Sequence, residues 1–548
     1  MTSNALMDSS SRSIQHALLR LFTISFTIVL CFASLINAQQ QPLESPHDSP
    51  KRVAIIGAGA AGSSTAYSLR KIADSLQVPV DITVYERNSY IGGRSTTVNA
   101  LNDSRYPVEL GASIFVSVNY NLVNASKELG LTVRSADHAR PRESDDTLGV
   151  WDGEQFVLVL QDTYSWWNIA KLIWRYGLSP IRTQNLMKST VNKFLRLYDS
   201  PYFPFRSLTS AAAAVDLLNT TSVPGDVFLH NGGISAEFSR DVIQASTRVN
   251  YGQNLPLIHG LETMVCMATD GAVSIDGGNW QIFDGMLGSS EADVRVNHSV
   301  TSIQRNSDGT LTIGFKATEV EESSVFDEVV IAGPLQDSGI TIEPPLEHGP
   351  DEIPYVKLHV TLFSSPHRLS PQFFNLPSNS RAPETVLTTL PRGVNLSSSK
   401  AGVGPAGFWS ISTLRTVQAP RSDGTHQKQY VYKVFSPERL TASFVGDILG
   451  LEHKAYSANS TIGDLPKEDV SWHHEKIWNP YPFLYPRVTF EDTMLAPSLW
   501  YTGGIESFIS TMETSALMGK NIASLISQSW GDKGGDSQET SRQERTEL

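Results

Sequence analysis

Three stretches of this 548-residue chain predict an α/β fold. Near the amino end an apolar strand runs into Gly57-Ala-Gly59-Ala-Ala-Gly62 and then into a helical pattern. Strand-like segments punctuated by Asp308-Gly309 return over 294–334, and a strand, a glycine turn and a helix recur from Leu499 to Ile526. Together they describe a discontinuous, Rossmann-like dinucleotide-binding domain with an α+β domain inserted into it.

Arg52 to Ile56 is a run of β-branched and small apolar residues, the pattern of a buried strand. Gly57 lets the chain turn out of that strand. Gly59 lets the backbone approach a pyrophosphate, and Gly62 lets the next helix pack closely on the sheet. That helix starts near Ala61, with Ala66, Leu69, Ile72 and Ala73 on one face and its N-terminal amides aimed at the phosphates. Ile82 to Tyr85 is the second strand. Glu86 ends it, 24 positions past Gly62, with a carboxylate placed for a ribose diol. Its charge disfavours the 2′-phosphate of NADP. FAD and NAD are not separated by this unit alone. Arg87 and the second glycine turn, Gly92-Gly93-Arg94, add amides and cations to the same pyrophosphate and tip the reading toward FAD. Gly111, Ala112 and Ser113 bring backbone and a hydroxyl beside the flavin.

The pattern changes after 115. Tyr164 to Tyr176 carries Trp166, Trp167 and Trp174 at helical spacing, and Thr183 to Tyr198 reads as a second amphipathic helix. A tryptophan-rich helix is most often core; it also suits the wall of an apolar channel or a peripheral membrane contact. Strands return at 294–296, 299–303, 311–315 and 328–334; resemblance to FAD oxidases with two dinucleotide-fold halves implies that Val300 lies against the adenine. Further strands fall at 356–363 and 430–435. Gly503, Gly504, Glu506, Met512 and Glu513 open the last helix and form a second half of the phosphate cradle. The expected division is a signal peptide over 1–38, a linker over 39–50, FAD-binding parts at 51–115, 291–340 and 496–530, substrate-domain parts at 116–290 and 341–495, and a disordered tail over 531–548.

A net charge of −13 argues against nucleic acid and anionic membrane surfaces as electrostatic partners. Arg12 and Arg20 precede an apolar run from Leu21 to Ile36 that ends at Asn37-Ala38, as in a cleavable signal peptide. Removing Arg12, Arg20 and Asp8 takes the charge from −13 to −14. Asn102, Asn124, Asn219, Asn297, Asn395 and Asn459 each begin an Asn-x-Ser/Thr sequon. The secretory pathway is therefore expected, ending in lysosome, vacuole or outside the cell. Of the two cysteines, Cys31 lies in the signal, so the mature chain keeps Cys266 alone and has no intramolecular disulfide.

The chain resembles the FAD-dependent amine oxidase superfamily, and within it the prenylcysteine oxidase (farnesylcysteine lyase) family. The resemblance rests on Trp166-Trp167 with Trp174-Arg-Tyr-Gly-Leu-Ser-Pro180, Arg248-Val-Asn-Tyr-Gly-Gln253, Gly277-Gly-Asn279, Asn479-Pro-Tyr481, and Tyr501-Thr-Gly-Gly-Ile-Glu-Ser507 followed by Met512-Glu-Thr-Ser-Ala516. It implies FAD as cofactor, dioxygen as acceptor and an S-prenyl cysteine, farnesyl or geranylgeranyl, as substrate. The products would be prenyl aldehyde, cysteine and hydrogen peroxide, formed in the breakdown of prenylated proteins. A secreted FAD amine or L-amino-acid oxidase is the alternative. No catalytic residue is identified: His230, His259 and His473-His474 are candidates for activating water, each also readable as an ordinary packing or surface histidine. No spacing suggests a metal.

Overall fold

In the computed structural model, the described residues are 49–135, 146–161, 166–317, 320–394, 400–421, 424–451, 456–457 and 459–543. The signal segment, residues 39–48 of the linker, Asn395 and residues 544–548 lie outside them. The cofactor-side sheet has six strands in the order Met494–Ala496, Leu499–Tyr501, Glu328–Ile331, Lys51–Ile56, Val80–Glu86 and Asp293–Val296. All neighbours are parallel except the first pair. Ile56 sits between Ile331 and Tyr85, so three strands from distant parts of the chain end together. Cofactors bind at such carboxyl ends of parallel strands.

Two helices cover one face. Ala60–Leu76 buries Ala66, Leu69 and Ala73, and the long helix Met512–Gln543 crosses it. The crossing is tight. A Cβ on Gly519 would stand 2.3 Å from the Ala61 carbonyl oxygen, and the Ser64 hydroxyl donates to Ala516 O at 2.7 Å. The last helix passes residue 530, where the sequence reads as a disordered tail. Adding residues to a helix that already exists avoids the cost of nucleation.

A second sheet orders Glu321–Phe326, Leu311–Lys316, Ser299–Arg305 and Thr341–Glu343, with Gly309 at φ +86° in the hairpin between two of them. The inserted domain is built on seven strands: Trp472–Trp478, Leu358–Ser365, His426–Ser436, Ser410–Pro420, Thr385–Thr388, Thr147–Trp151 and Phe156–Gln161. Both excursions of the chain contribute to this one sheet. Leu358–Ser365 is buried along its whole length, with Leu358, Val360 and Leu362 in one apolar cluster and Phe363 in another.

The aromatic helix spans Trp166–Tyr176, and the next helix runs Ser179–Leu195 with Pro180 in its first turn. Trp174 is 89% exposed, so at this position the core reading of the helix fails. Tyr176 faces inward instead, its hydroxyl donating to the buried Asp241 at 2.9 Å.

Candidate active site

A cleft of about 690 Å³ opens at the carboxyl ends of the parallel strands. Gly57 leaves its strand at φ +110°, a conformation open to glycine, and its N–H donates to Tyr85 O at 2.8 Å. Gly62 does not reach the cleft. Its role is packing, since a Cβ there would lie 1.9 Å from the Gly57 carbonyl oxygen. The turn at 92–93 folds onto the first one, with Gly92 N–H donating to Ala58 O at 2.9 Å. A Cβ on Gly93 would stand 3.4 Å from the Gly59 Cα, so side chains at these positions would fill the space between the turns. The helix N-terminus at Ala60 opens on that space, as a pyrophosphate requires.

Glu86 lines the cleft and is almost fully buried. One carboxylate oxygen accepts from Ala58 N at 2.9 Å. The other accepts from Asn88 N at 2.8 Å and Asn88 Nδ2 at 2.6 Å. A carboxylate offers about four acceptor positions, so one remains for a ribose hydroxyl. Arg87, Gly92, Arg94, Gly111, Ala112, Val300, Glu506 and Met512 also line the cleft, as do Gly57, Gly59, Ala61 and Gly93.

Arg94 has a different partner from the expected pyrophosphate. Its guanidinium makes a two-point pair with Glu506, at 2.7 and 2.5 Å, and donates to Pro480 O at 2.7 Å. Burial works against its charge, but the Glu506 carboxylate outweighs burial and holds the guanidinium above its ordinary value. Tyr355 also donates to Glu506, at 3.2 Å. Arg94 therefore ties three distant segments together in the wall of the cleft.

Ser113, Gly503, Gly504 and Glu513 do not line the cleft. Ser113 is exposed. A Cβ on Gly503 would stand 2.2 Å from the Tyr501 hydroxyl, which makes this glycine a packing position. Glu513 accepts from the backbone of Asn121 and Leu122, at 2.9 and 3.0 Å, and from the Tyr198 hydroxyl at 2.7 Å. It thus caps the helix Tyr120–Glu128 rather than meeting a ligand. The candidate histidines His230, His259, His473 and His474 do not line the cleft either. His259 is fully buried, its Nδ1 accepting from Glu262 N at 3.2 Å, and burial holds its imidazole down at about 4.

Residues that the motifs did not single out complete the walls. His298, Ser299 and Ile331 to Pro334 stand on the nucleotide side, and Leu358, Phe435 and Trp478 on the inserted sheet face them. Asn479, Pro480 and Tyr481, noted in the sequence as a string without a role, form the wall beside Trp478. The remaining signal was the carboxyl end of each parallel strand, where loops converge. Just behind this wall, Lys433 Nζ donates to Glu109 O at 2.8 Å, and Asn279 N donates to the Glu109 carboxylate at 2.6 Å. Burial pushes Glu109 up to about 7 and Lys433 down to about 8. Glu262 is likewise pushed up to about 7 by burial; it accepts from Ser510 N at 3.2 Å, and Ser510 borders the cleft. Cys266 is buried away from the cleft. Among the described residues no group of three or more His, Cys, Asp or Glu could hold a metal ion.

Comparison with known proteins bears on what binds here. A family profile described as NAD(P)-binding Rossmann-like domain matches residues 55–127, and one described as prenylcysteine lyase matches 159–539. The farnesylcysteine lyase of Arabidopsis thaliana is 28% identical over 498 residues, 87% of this chain and 88% of that one. Prenylcysteine oxidase 1 of Mus musculus is 28% identical over 530 residues, 92% and 93% of the two chains. Among solved structures, cyclohexylamine oxidase from Brevibacterium oxydans superposes with a TM-score of 0.53 at 16% identity, covering 88% of this chain and 100% of its own. Putrescine oxidase bound to putrescine gives 0.52 at 14% identity, covering 87% and 99%. The structural likenesses are likenesses of fold. The glycine cradle with Glu86 is a dinucleotide site, and a family profile extends over most of the molecule that surrounds it. The chain belongs to the prenylcysteine lyase family.

Proposed function

We propose that the protein is an FAD-dependent thioether oxidase. It cleaves S-farnesyl- or S-geranylgeranyl-cysteine with dioxygen and water to prenyl aldehyde, cysteine and hydrogen peroxide, in the degradation of prenylated proteins. The observation that carries this reading is the cleft itself, where a dinucleotide cradle and an apolar wall from the inserted sheet face one another in a chain of this family. The residues present fit FAD. Glycines 59 and 93 leave the space a pyrophosphate needs, Glu86 keeps acceptor capacity for a ribose hydroxyl, and Val300 lies near the Glu86 end for an adenine. When bound, FAD supplies the hydride acceptor and the route for electrons to dioxygen.

The chain's own groups do the rest. Leu110, Leu358, Phe435, Trp478 and Tyr481 offer apolar surface for an isoprenoid, each buried methylene stabilising by about 0.8 kcal/mol. The same surface excludes water from the reacting carbon. The oxidised thioether carbon takes up water, the C–S bond breaks, and sulfur leaves as a thiol with one proton. No histidine of the chain needs to act as a base for this sequence. Entry through a cleaved signal peptide, and residence in lysosome, vacuole or the extracellular space, fit this role. Asn102, Asn124, Asn219, Asn297 and Asn459 are all exposed, as carriers of glycans must be.

The test is peroxide and aldehyde release from a panel of S-farnesyl-cysteine, S-geranylgeranyl-cysteine, simple amines and free amino acids. Turnover of the prenyl thioethers alone is expected. Turnover of amines or amino acids alone would replace this reading with an amine or amino-acid oxidase.

A further inference from the structure

The helices Trp166–Tyr176 and Ser179–Leu195 meet at a corner formed by Gly177 and Leu178. Large apolar side chains stand in solvent there: Trp174 is 89% exposed, Leu178 56% and Ile181 47%. A groove between the first helix and the hairpin of Thr147–Trp151 and Phe156–Gln161 opens beside Trp174, lined in part by Val159, Leu160 and Ala170. It shares no residue with the cofactor cleft.

Charge sets the same segment apart. The whole chain carries 56 acidic residues against 43 Lys and Arg. From 163 to 198 there is no Asp or Glu, yet Lys171, Arg175, Arg182, Lys188, Lys193 and Arg196 all fall there. Lys171 lies one turn before Trp174, and Lys188 lies two turns after Ile181, which puts each cation on the face of its apolar neighbour. Among the described residues, the acids of other elements that meet these helices are Asp241, Asp216, Asp270 and Glu237, the last acting on Tyr176. Asp241 is fully buried and shared by Arg175, at 3.3 Å, and Arg240. Asp216 pairs with Lys193 at 2.6 Å, and Asp270 accepts from Gln184 at 3.2 Å. Lys171 and Arg182 donate to the carbonyls of Val159 and Gly233, each at 2.6 Å, which leaves their charge in place.

A projecting tryptophan with aliphatic neighbours, ringed by cations on a strongly acidic protein, is the pattern of an interfacial helix. We propose that this corner seats the protein peripherally on an anionic lipid surface. Trp174, Leu178 and Ile181 enter the headgroup–acyl boundary, and Lys171, Arg182 and Lys188 meet lipid phosphates. A lipid surface is the occupant because six Lys and Arg and no acid fall in the same segment, 163 to 198, as the solvent-standing Trp174, Leu178 and Ile181. Without those cations, the remainder of the chain would be repelled by such a surface. Among the described residues no helix is long and apolar enough to cross a membrane, so the contact is with one leaflet.

The experiment is co-sedimentation of the full chain, made in a secretory host, with vesicles of phosphatidylcholine alone or mixed with phosphatidylserine. The wild type is expected to pellet with the mixed vesicles and to be released by high salt. The triple variant Trp174→Ala, Leu178→Ser, Ile181→Ser is expected to lose about tenfold or more in partitioning, and Lys188→Glu a smaller amount. These positions are exposed, so the thermal midpoint and the peroxide assay in detergent-free solution should not move. Vesicle binding does not depend on turnover, so its failure is distinguishable from failure of the proposed reaction. A wild type that ignores both vesicles, variants that bind as well as wild type, or a dimer in solution that the triple variant dissociates would each overturn the proposal.

Discussion

Glu86 shows how a single residue position was readable while its full surroundings were not. The strand, the glycine turn and the spacing place its carboxylate, but Asn88, which holds one of its oxygens through two donors, carries no motif. If the remaining acceptor position receives a ribose hydroxyl, Glu86→Gln removes a charge-assisted hydrogen bond worth about 1.5–3 kcal/mol. FAD affinity should then fall about tenfold to a hundredfold, measured by titrating apoprotein and following flavin fluorescence. Unchanged affinity would place the ribose elsewhere. Arg94 illustrates the opposite case. Its place beside a glycine turn was legible, but its partner Glu506 lies 412 positions away, and no local pattern specifies such a pair. Arg94→Ala leaves Glu506 buried without its cation. Because the guanidinium is partly open to the cleft, the expected loss is moderate, about 2 kcal/mol, read as a lower thermal midpoint. Glu513 misled because an acid at a helix start suggests a ligand, whereas here it serves a neighbouring helix.

At the scale of elements, the sequence made the parallel strands and the cofactor helix plain because their apolar residues recur at strand or helix spacing. The strand Glu321–Phe326 was missed: it has four polar residues and lies at the edge of its sheet, where solvent takes one side. The joining of 147–161 and 358–478 into one sheet was also hidden, since strand pairing across such distances leaves no local trace. The aromatic helix has the periodicity of an amphipathic element, and periodicity alone does not say whether its apolar side meets protein or another apolar phase. The crossing of Ala60–Leu76 and Met512–Gln543 depends on Gly519. Gly519→Val would drive side-chain atoms into the Ala61 carbonyl and the first turn of the cofactor helix. An overpacking cost of about 1–3 kcal/mol is expected in unfolding experiments, with weaker retention of cofactor because the phosphate-facing amides shift. A variant as stable and as cofactor-loaded as wild type would show that the helices separate without consequence.

The whole molecule combines a cofactor sheet, an inserted sheet and buried ionisable groups whose response to pH can be worked out. Burial pushes Glu109, Glu262 and Glu513 from about 4.5 up to about 7. Below about 4.5 both folded and unfolded chains hold these protons; between about 4.5 and 7 only the folded chain does, so stability falls as pH rises through that window. His259 acts oppositely, losing stability as pH falls from 6.5 toward about 4. Each group contributes about 1.4 kcal/mol per pH unit inside its window, and three carboxyls outweigh one imidazole. The thermal midpoint should therefore be higher near about pH 5.5 than near about pH 7.5, and Glu262→Gln should shrink the difference. A midpoint that rises toward neutrality would contradict these assignments. Greater stability in mild acid also suits the proposed lysosomal or vacuolar setting. The central claim, that one cleft holds a flavin against a prenyl thioether, is tested most directly by the visible spectrum of the purified protein under anaerobic conditions. The expected result is a flavin spectrum that bleaches on adding S-farnesyl-cysteine and returns with air as peroxide and free cysteine appear. A colourless protein that takes up no FAD, or a yellow one that S-farnesyl-cysteine leaves unchanged, would contradict it.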